Sequence, residues 1–290
     1  MCRIASLLLL LWSLLPLITL AGPSESVDAY IPASHKKLFS DYNVVIFGDV
    51  ALARAAIKGP LAVQGSAELA DFDVAGNGNC DKDARALVVA GKLTARMGAV
   101  NSGYTVVGSR SRIDHSVKMT CTSRVEQYDP QRNGDIEFDV LRGNVLRETG
   151  DMCVTSPTGE VESENGTMTF RPGDPGFSCY TFFKVRTDEL RLITKWVYAG
   201  DDFYRNIVIV VSGLKVDFRD FGMEGFNARR TLIVFCAVYG SFGLYNAKLH
   251  ASLLAPTASF TTSNAIINGS VVAGNLRGSL ATLHTNYVTC

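Results

Sequence analysis

The chain has no basic run, no Cys-x-x-Cys pair and no interdomain linker. Past its first twenty residues it also has no apolar stretch long enough to cross a bilayer. Each absence excludes a class. Lysine plus arginine equals aspartate plus glutamate, 28 against 28, so there is no electrostatic footprint for nucleic acid. Without a short chelating cysteine pair, and with none spaced to join His35, His115, His250 or His284, a zinc site has no frame. The longest internal apolar runs, Ile207 to Val211 and Leu232 to Tyr239, have strand length, against the ~20 residues a helical span needs. No apolar tail signals a lipid anchor. The absence of a Ser/Gly/Pro-rich linker favours one domain.

Catalytic punctuation is missing too. Gly91-Lys92 lacks the rest of a P-loop, and Gly240-Ser241-Phe242-Gly243 is not the G-x-S-x-G elbow. Asp114-His115-Ser116 holds three triad residue types, but adjacent residues cannot converge as a triad must. Asp201-Asp202 reads as a turn, whereas glycoside cleavage needs two carboxylates across a cleft. The expectation is a protein that is not an enzyme, with no cofactor and no metal.

What is present begins with a leader. Arg3 precedes an apolar run from Ile4 to Leu20, and small Ala21 and Gly22 offer a cleavage site, which predicts a signal peptide over residues 1–21. Cys2 leaves with it. Six cysteines remain as disulfide candidates, Cys80, Cys121, Cys153, Cys179, Cys236 and Cys290, an even number suited to an oxidising, exported setting. Fifteen pairings are possible. The expected pattern joins neighbours in sequence, with Cys290 bonded to Cys236 to pin the chain end.

Glycines close short apolar triplets: Gly48 ends VVIFG, Gly65 ends LAVQG, Gly91 ends LVVAG and Gly108 ends YTVVG, at steps of 17, 26 and 17 residues. Near the end, Pro256 closes SLLAP and Gly274 closes SVVAG, 18 residues apart. A coil of that length holds three short strands, and stacked coils sit about 4.8 Å apart on parallel ladders. The long step places a polar loop inside FDVAGNGNCDKDARA. These features predict an all-β, parallel β-solenoid closed by its own termini. Its competitor is a sandwich, whose turns recur at similar intervals.

The stretch from about residue 117 to 230 breaks this pattern and reads as a helical and hairpin insertion. Asp129-Pro130 resembles a helix start, and Ile136, Val140, Leu141 and Val145 follow at helical spacing, with Gly150 as a stop. Asn165-Gly166 between alternating arms predicts a two-residue hairpin. YTFFKVR and ELRLITKW around Thr187-Asp188 suggest a second one. RNIVIVVSGLKVDF reads as a buried strand.

Three surface constellations are candidates. Asn165-Gly166-Thr167 and Asn268-Gly269-Ser270 are sequons, making Asn165 and Asn268 glycosylation candidates. Asp71, Asp73, Asp81 and Asp83, with Asn77 and Asn79 between them, form an oxygen-rich loop that misses EF-hand spacing, so a solvated loop is the plain reading. Thr257, Thr261, Thr262 and Ser263 would suit a flat hydroxyl face for ice, except that the front coils place Ala and Val where more Thr would be needed.

Taken together, DYNVVIFGDVALARAAIKGPLAVQGSAELADFDVAG, ALVVAGKLTARMGAVNSGYTVVG, IVIVVSG and the stretch from TLIVFCAVYG through SLLAPTASFTTSNAIINGSVVAGNLRGS resemble the choice-of-anchor A domain family of adhesive domains. The likeness runs from about Tyr42 to His284. It implies a solenoid with one long helix packed along its side, placed here at Pro130 to Arg147, and no catalytic residues. The family name reflects variable C-terminal anchors in bacterial members; the expectation here departs from that, with no anchor signal before Cys290.

The organisation expected is a leader (1–21), an N-terminal extension (22–41) and one solenoid domain (42–290). The function expected is an exported adhesin-like, cell-surface or matrix protein. It would be secreted, with no membrane span in the mature chain, and would bind an extracellular glycan or protein on a coil face. The rival is a carbohydrate-active β-helix enzyme. That reading requires Asp49, Asp71, Asp73 or Asp114 to line one groove.

Overall fold

The structure is a computed structural model that describes residues 38–39, 41–76, 79–131, 136–173, 179–201, 204–236, 240–283 and 287. The expected leader and Cys290 lie outside the described residues.

The front of the chain forms β1 (Val44–Ile46), β2 (Val50–Ile57), β3 (Leu61–Val63), β4 (Ala67–Val74) and β5 (Arg85–Val89). It continues through β6 (Leu93–Val100), β7 (Tyr104–Val107), β8 (Arg112–Ile113), β9 (Val117–Met119) and β10 (Val125–Gln127). Helix α1 (Phe138–Val154) follows. Next come β11 (Gly159–Glu164), β12 (Thr167–Pro172), β13 (Tyr180–Arg186), β14 (Lys195–Tyr198), β15 (Asn206–Ser212) and β16 (Lys215–Arg219). The rest is β17 (Gly222–Glu224), β18 (Thr231–Phe235), β19 (Ser241–Tyr245), β20 (Lys248–Leu249), β21 (Ser252–Asn268) and β22 (Val271–Leu283).

The ladders are parallel, apart from the antiparallel pair β11–β12. They wind into a three-walled β-solenoid. One wall stacks β13, β15, β18, the start of β21, the start of β22, β1, β3, β5, β7 and β10 in that order. The last coil of the chain therefore pairs with the first, Val44 opposite Val271 and Ile46 opposite Ala273. The first and last coils meet in the middle of the stack, and the two ends of the solenoid are formed by mid-chain segments.

The glycine punctuation has a direct cause. Gly65 donates to Gly48 O at 3.0 Å, Gly91 to Gly65 O at 3.0 Å and Gly108 to Gly91 O at 3.1 Å. A Cβ on Gly65 or Gly91 would fall 2.4 Å from the carbonyl one coil away, so this corner of each coil tolerates no side chain. At the next corner, residues turn through positive φ: Arg54, Asp71 and Met97 in the front coils, Asp220, Asn246 and Asn264 in the others. Asn264 Nδ2 donates to Asn246 Oδ1 at 2.9 Å, and Asn246 Nδ2 to Asp220 Oδ1 at 2.6 Å. Asparagine and aspartate suit this corner because they tolerate the left-handed region.

Inside the solenoid, small aliphatic side chains fill the front coils, among them Val44, Ile46, Leu61, Val63, Leu69 and Leu87. At the opposite end the interior is aromatic. Phe170, Trp196, Phe218 and Phe221 meet edge to face at 4.8–5.7 Å. The wall bearing β1 is apolar on both sides, because α1 lies over it. Phe138, Val145 and Met152 of the helix pack with Val45, Val210, Val234, Leu254 and Val272. That explains unbroken apolar strands such as β15, which lack inside–outside alternation.

Several expectations are corrected. The helix runs from Phe138 to Val154, eight residues later at its start than Pro130, and passes through Gly150. Its buried face is Phe138, Val145, Glu148, Thr149 and Met152, while Val140 is 57% exposed. The break in the solenoid is also narrower than 117–230. β9 and β10 already pair with β6 and β7, and stacking resumes at β13. No glycine closes β9, β10 or β13, so the punctuation vanishes while the coils continue. No hairpin joins β13 to β14: β13 pairs in parallel with β15, and β14 with β12 and β17. Thr187-Asp188 is thus a coil corner. Cys236 bonds Cys153, not Cys290, whereas Cys80 bonds its sequence neighbour Cys121 as expected. Cys179 is also disulfide-bonded. The Cys153–Cys236 bond fastens the end of α1 to the wall beneath it, a proximity that sequence distance hides.

Candidate functional site

Among the described residues, two of the three walls face outward without a helix on them. The more continuous one is built from β16, β19, the middle of β21, the middle of β22, β2, β4, β6 and β8. In-register pairing lines up Asp217, Gly243, Thr261, Arg277, Ala51, Glu68, Thr94 and Arg112 as one central row across eight coils. Alternate residues point inward and are buried, including Phe242, Phe260, Leu276, Leu52 and Leu69. The period of two thus sorts apolar side chains to the core and small, hydroxyl or charged ones to the surface.

This surface is polar and regular. Lys215, Ser241, Ser259 and Asn275 form a second row, and Arg219, Tyr245 and Ser263 begin a third. Coil spacing repeats these positions every ~4.8 Å. Charges are spaced out along the wall: Asp217 and Arg219 pair at 3.2 Å, and Arg219 stacks over the Tyr245 ring at 4.4 Å. Glu68, Arg277 and Arg112 stand exposed. Thr261 and Ser263 lie on the wall, whereas Thr262 points into the core and is 2% exposed. The four-residue hydroxyl cluster therefore splits between surface and interior. Thr257 sits at a corner between walls.

The acidic residues named for the enzyme reading do not share a groove. Asp49 sits at the glycine corner and accepts from Ser66 N at 2.8 Å. Asp71 occupies the positive-φ corner. Asp73 lies on the third wall, where Lys58 approaches to 3.7 Å and Asn101 donates to it. Asp114 caps a turn in the last front coil. It accepts from the Ser116 hydroxyl at 2.6 Å and Ser116 N at 2.8 Å, and these two bonds hold its carboxyl below the usual range. His115, beside it, is 97% exposed. This is a solvated turn motif. Asp81 accepts from Asp83 N at 3.0 Å, and Asn77 and Asp202 lie outside the described residues. Among the described residues no three His, Cys, Asp or Glu side chains gather to hold a metal, and no helix is long and apolar enough to cross a membrane. Ser241 is exposed at the start of β19, and Asp201 is exposed outside any strand or helix.

The two sequons differ sharply. Asn165 and Gly166 form the β11–β12 turn, both with positive φ (48° and 77°), as a type I′ turn requires. Asn165 is exposed. Asn268 ends β21, half-buried, and its Nδ2 donates to His250 Nδ1 at 2.9 Å. Burial, then Lys248, holds the His250 imidazole below its ordinary value.

One linking residue gave no sequence signal. Asn43 is fully buried where first and last coils meet. Its Nδ2 donates to Gly269 O at 2.8 Å, while its Oδ1 accepts from Gly59 N at 3.2 Å and Thr282 Oγ1 at 2.6 Å.

Comparison with known proteins gives the following. A family profile described as "Putative Ice-binding-like adhesive domain" matches residues 36–285. No curated protein matches the chain. Solved structures similar to it include a glycosylated ice-binding protein from an Arctic yeast, at 10% identity and TM-score 0.45, covering 87% of this chain and 94% of that one. Another is an ice-binding protein of the Antarctic ascomycete Antarctomyces psychrotrophicus, at 11% identity and TM-score 0.39, covering 88% and 98%. A third is an ice-binding protein domain of Shewanella frigidimarina, at 11% identity and TM-score 0.41, covering 86% and 94%.

Proposed function

The chain belongs to the ice-binding-like adhesive domain family, and from that premise we propose that it is an exported, non-catalytic adhesive module. It binds an extracellular glycan or protein along the polar wall that carries Thr261, Arg277, Ala51 and Glu68. In this reading residues 1–21 are a cleaved leader, 22–41 an extension and 42–290 one adhesive domain. The disulfides Cys80–Cys121 and Cys153–Cys236 support an extracellular setting.

The observation that carries the proposal is the wall itself, eight coils in register with, among the described residues, no element packed over them. A straight polar lattice of fixed pitch suits an extended polymer, which meets many equivalent weak contacts rather than one pocket. Spaced charges of both signs give such a ligand register. The same charges count against ice: long Arg277, Arg112 and Glu68 side chains interrupt the flat hydroxyl array that Ser259, Thr261 and Ser263 begin.

Arrays of glycans and matrix proteins test this, read beside a thermal hysteresis measurement. Array binding is expected, weakened tenfold or more by Ala51→Tyr at the centre of the wall with the melting temperature unchanged. Blank arrays, or strong thermal hysteresis lost in Ala51→Tyr, would overturn the reading.

A further inference from the structure

We propose that Asn165 carries an asparagine-linked glycan whose first sugar seats over Leu192, and that Asn268 carries none. The inference rests on the exported reading above.

Asn165 meets what the modification needs. It stands at the tip of a two-residue turn, exposed, with Thr167 two residues on. The nearest polar contact of its Nδ2 is a long 3.4 Å approach to Glu164 Oε1, so the nitrogen that takes the sugar is not committed to the fold. The turn is nonetheless fixed. Gly166 O accepts from Thr194 N at 2.9 Å and Lys195 N at 3.3 Å, which ties the tip to the segment after Leu192.

Beside that tip lies an open hollow of about 610 Å³, lined by Asn165, Asp188, Arg191, Leu192 and Ile193. Leu192 is 86% exposed at its edge, an isolated large apolar side chain among charged neighbours. An N-acetylglucosamine ring has one C–H face and a rim of hydroxyls and amide. Attached at Asn165, its C–H face covers Leu192 while the rim meets Asp188 and Arg191. The covalent link makes the contact intramolecular, so even a weak stacking energy suffices to hold it.

Asn268 meets the opposite conditions. Its Nδ2 is bonded to His250, its Oδ1 is buried, and Ser270 of the same sequon is 1% exposed. Both flanking strands pair in the ladder, Asn268 opposite Leu283. Molecules that close the stack are therefore those without a sugar at Asn268, because one there would have to be accommodated between coils. One at Asn165 stands clear of them.

The test expresses the full chain in a eukaryotic secretory host, once with its own leader and once with a foreign one. Expected is a single glycan by intact mass, removed by endoglycosidase. It should be lost in Asn165→Gln and in Thr167→Ala, and retained in Asn268→Gln. Hydroxyl-radical footprinting should label Leu192 several-fold less in the glycosylated protein than after Asn165→Gln. Secreted protein without a glycan from either leader, or a glycan surviving Asn165→Gln, overturns the site. Equal labelling of Leu192 overturns the seat. Glycosylation under the foreign leader with retention under the native one supports the site and sinks the export reading.

Discussion

A single buried amide does the joining work at the seam of this molecule. Asn43 serves three partners on the first and last coils, and it is fully buried. Each buried group left unpaired costs about 1–3 kcal/mol, so Asn43→Ala is expected to lower stability by ~3 kcal/mol or more, read as a fall in urea midpoint. A change below about 0.5 kcal/mol, the scale of ordinary surface substitutions, would show that the seam holds without it. The residue is invisible in the sequence because Asn43 precedes an apolar triplet as any turn residue would. Its neighbours Gly59, Gly269 and Thr282 come together only after two coils stack. The corner asparagines Asn246 and Asn264 escape notice for the same reason: each reads as a loop residue until the column forms.

Among the elements, the helix and its disulfide carry the sharpest expectation. Cys153 and Cys236 are 83 residues apart, and closing a loop of that size restricts the unfolded chain by an amount worth about 4 kcal/mol on the entropic account. Paired replacement by serine should therefore destabilise the domain by ~2–4 kcal/mol, measured by denaturant unfolding with Cys80–Cys121 intact. No loss would mean that the packing of Val145 and Met152 alone holds α1 in place. The comparison between sequence and structure is instructive here. VVIFG, LAVQG, LVVAG and YTVVG are legible because close stacking forbids a side chain at their final glycines, leaving a mark at fixed intervals. The helix was legible in kind but not in place. Val140 and Leu141 keep helical spacing without being buried together, and the wall selects Phe138, Val145 and Met152 instead. β13, β15 and β18 lack inside–outside alternation because both faces are covered; the apolar run of β15 still reads as a buried strand, while β13 and β18 end without a glycine. At the candidate site, alternation reveals that Thr261 and Glu68 point outward, while their alignment in one row depends on a coil order that no local pattern encodes.

For the whole molecule, a stack with mid-chain segments at both ends predicts an uneven stability profile. Terminal coils have one neighbour and inner coils two, so opening should begin outside. Native-state hydrogen exchange is expected to be slowest in β21, β22, β1 and β3 and faster in β8, β9, β10 and β11. Fastest exchange at the β1–β22 seam would contradict this order. That seam also sets a timetable. Asn43 and Gly269 lie 226 residues apart, and at roughly 5–20 residues per second of synthesis the edge of β1 waits from about ten to several tens of seconds for its partner. During that interval the newborn front coils offer a bare strand edge that any sister chain on the same ribosome cluster can occupy. Slower initiation of translation is therefore expected to raise the yield of correctly closed molecules, and an unchanged yield would show that the open edge is not captured.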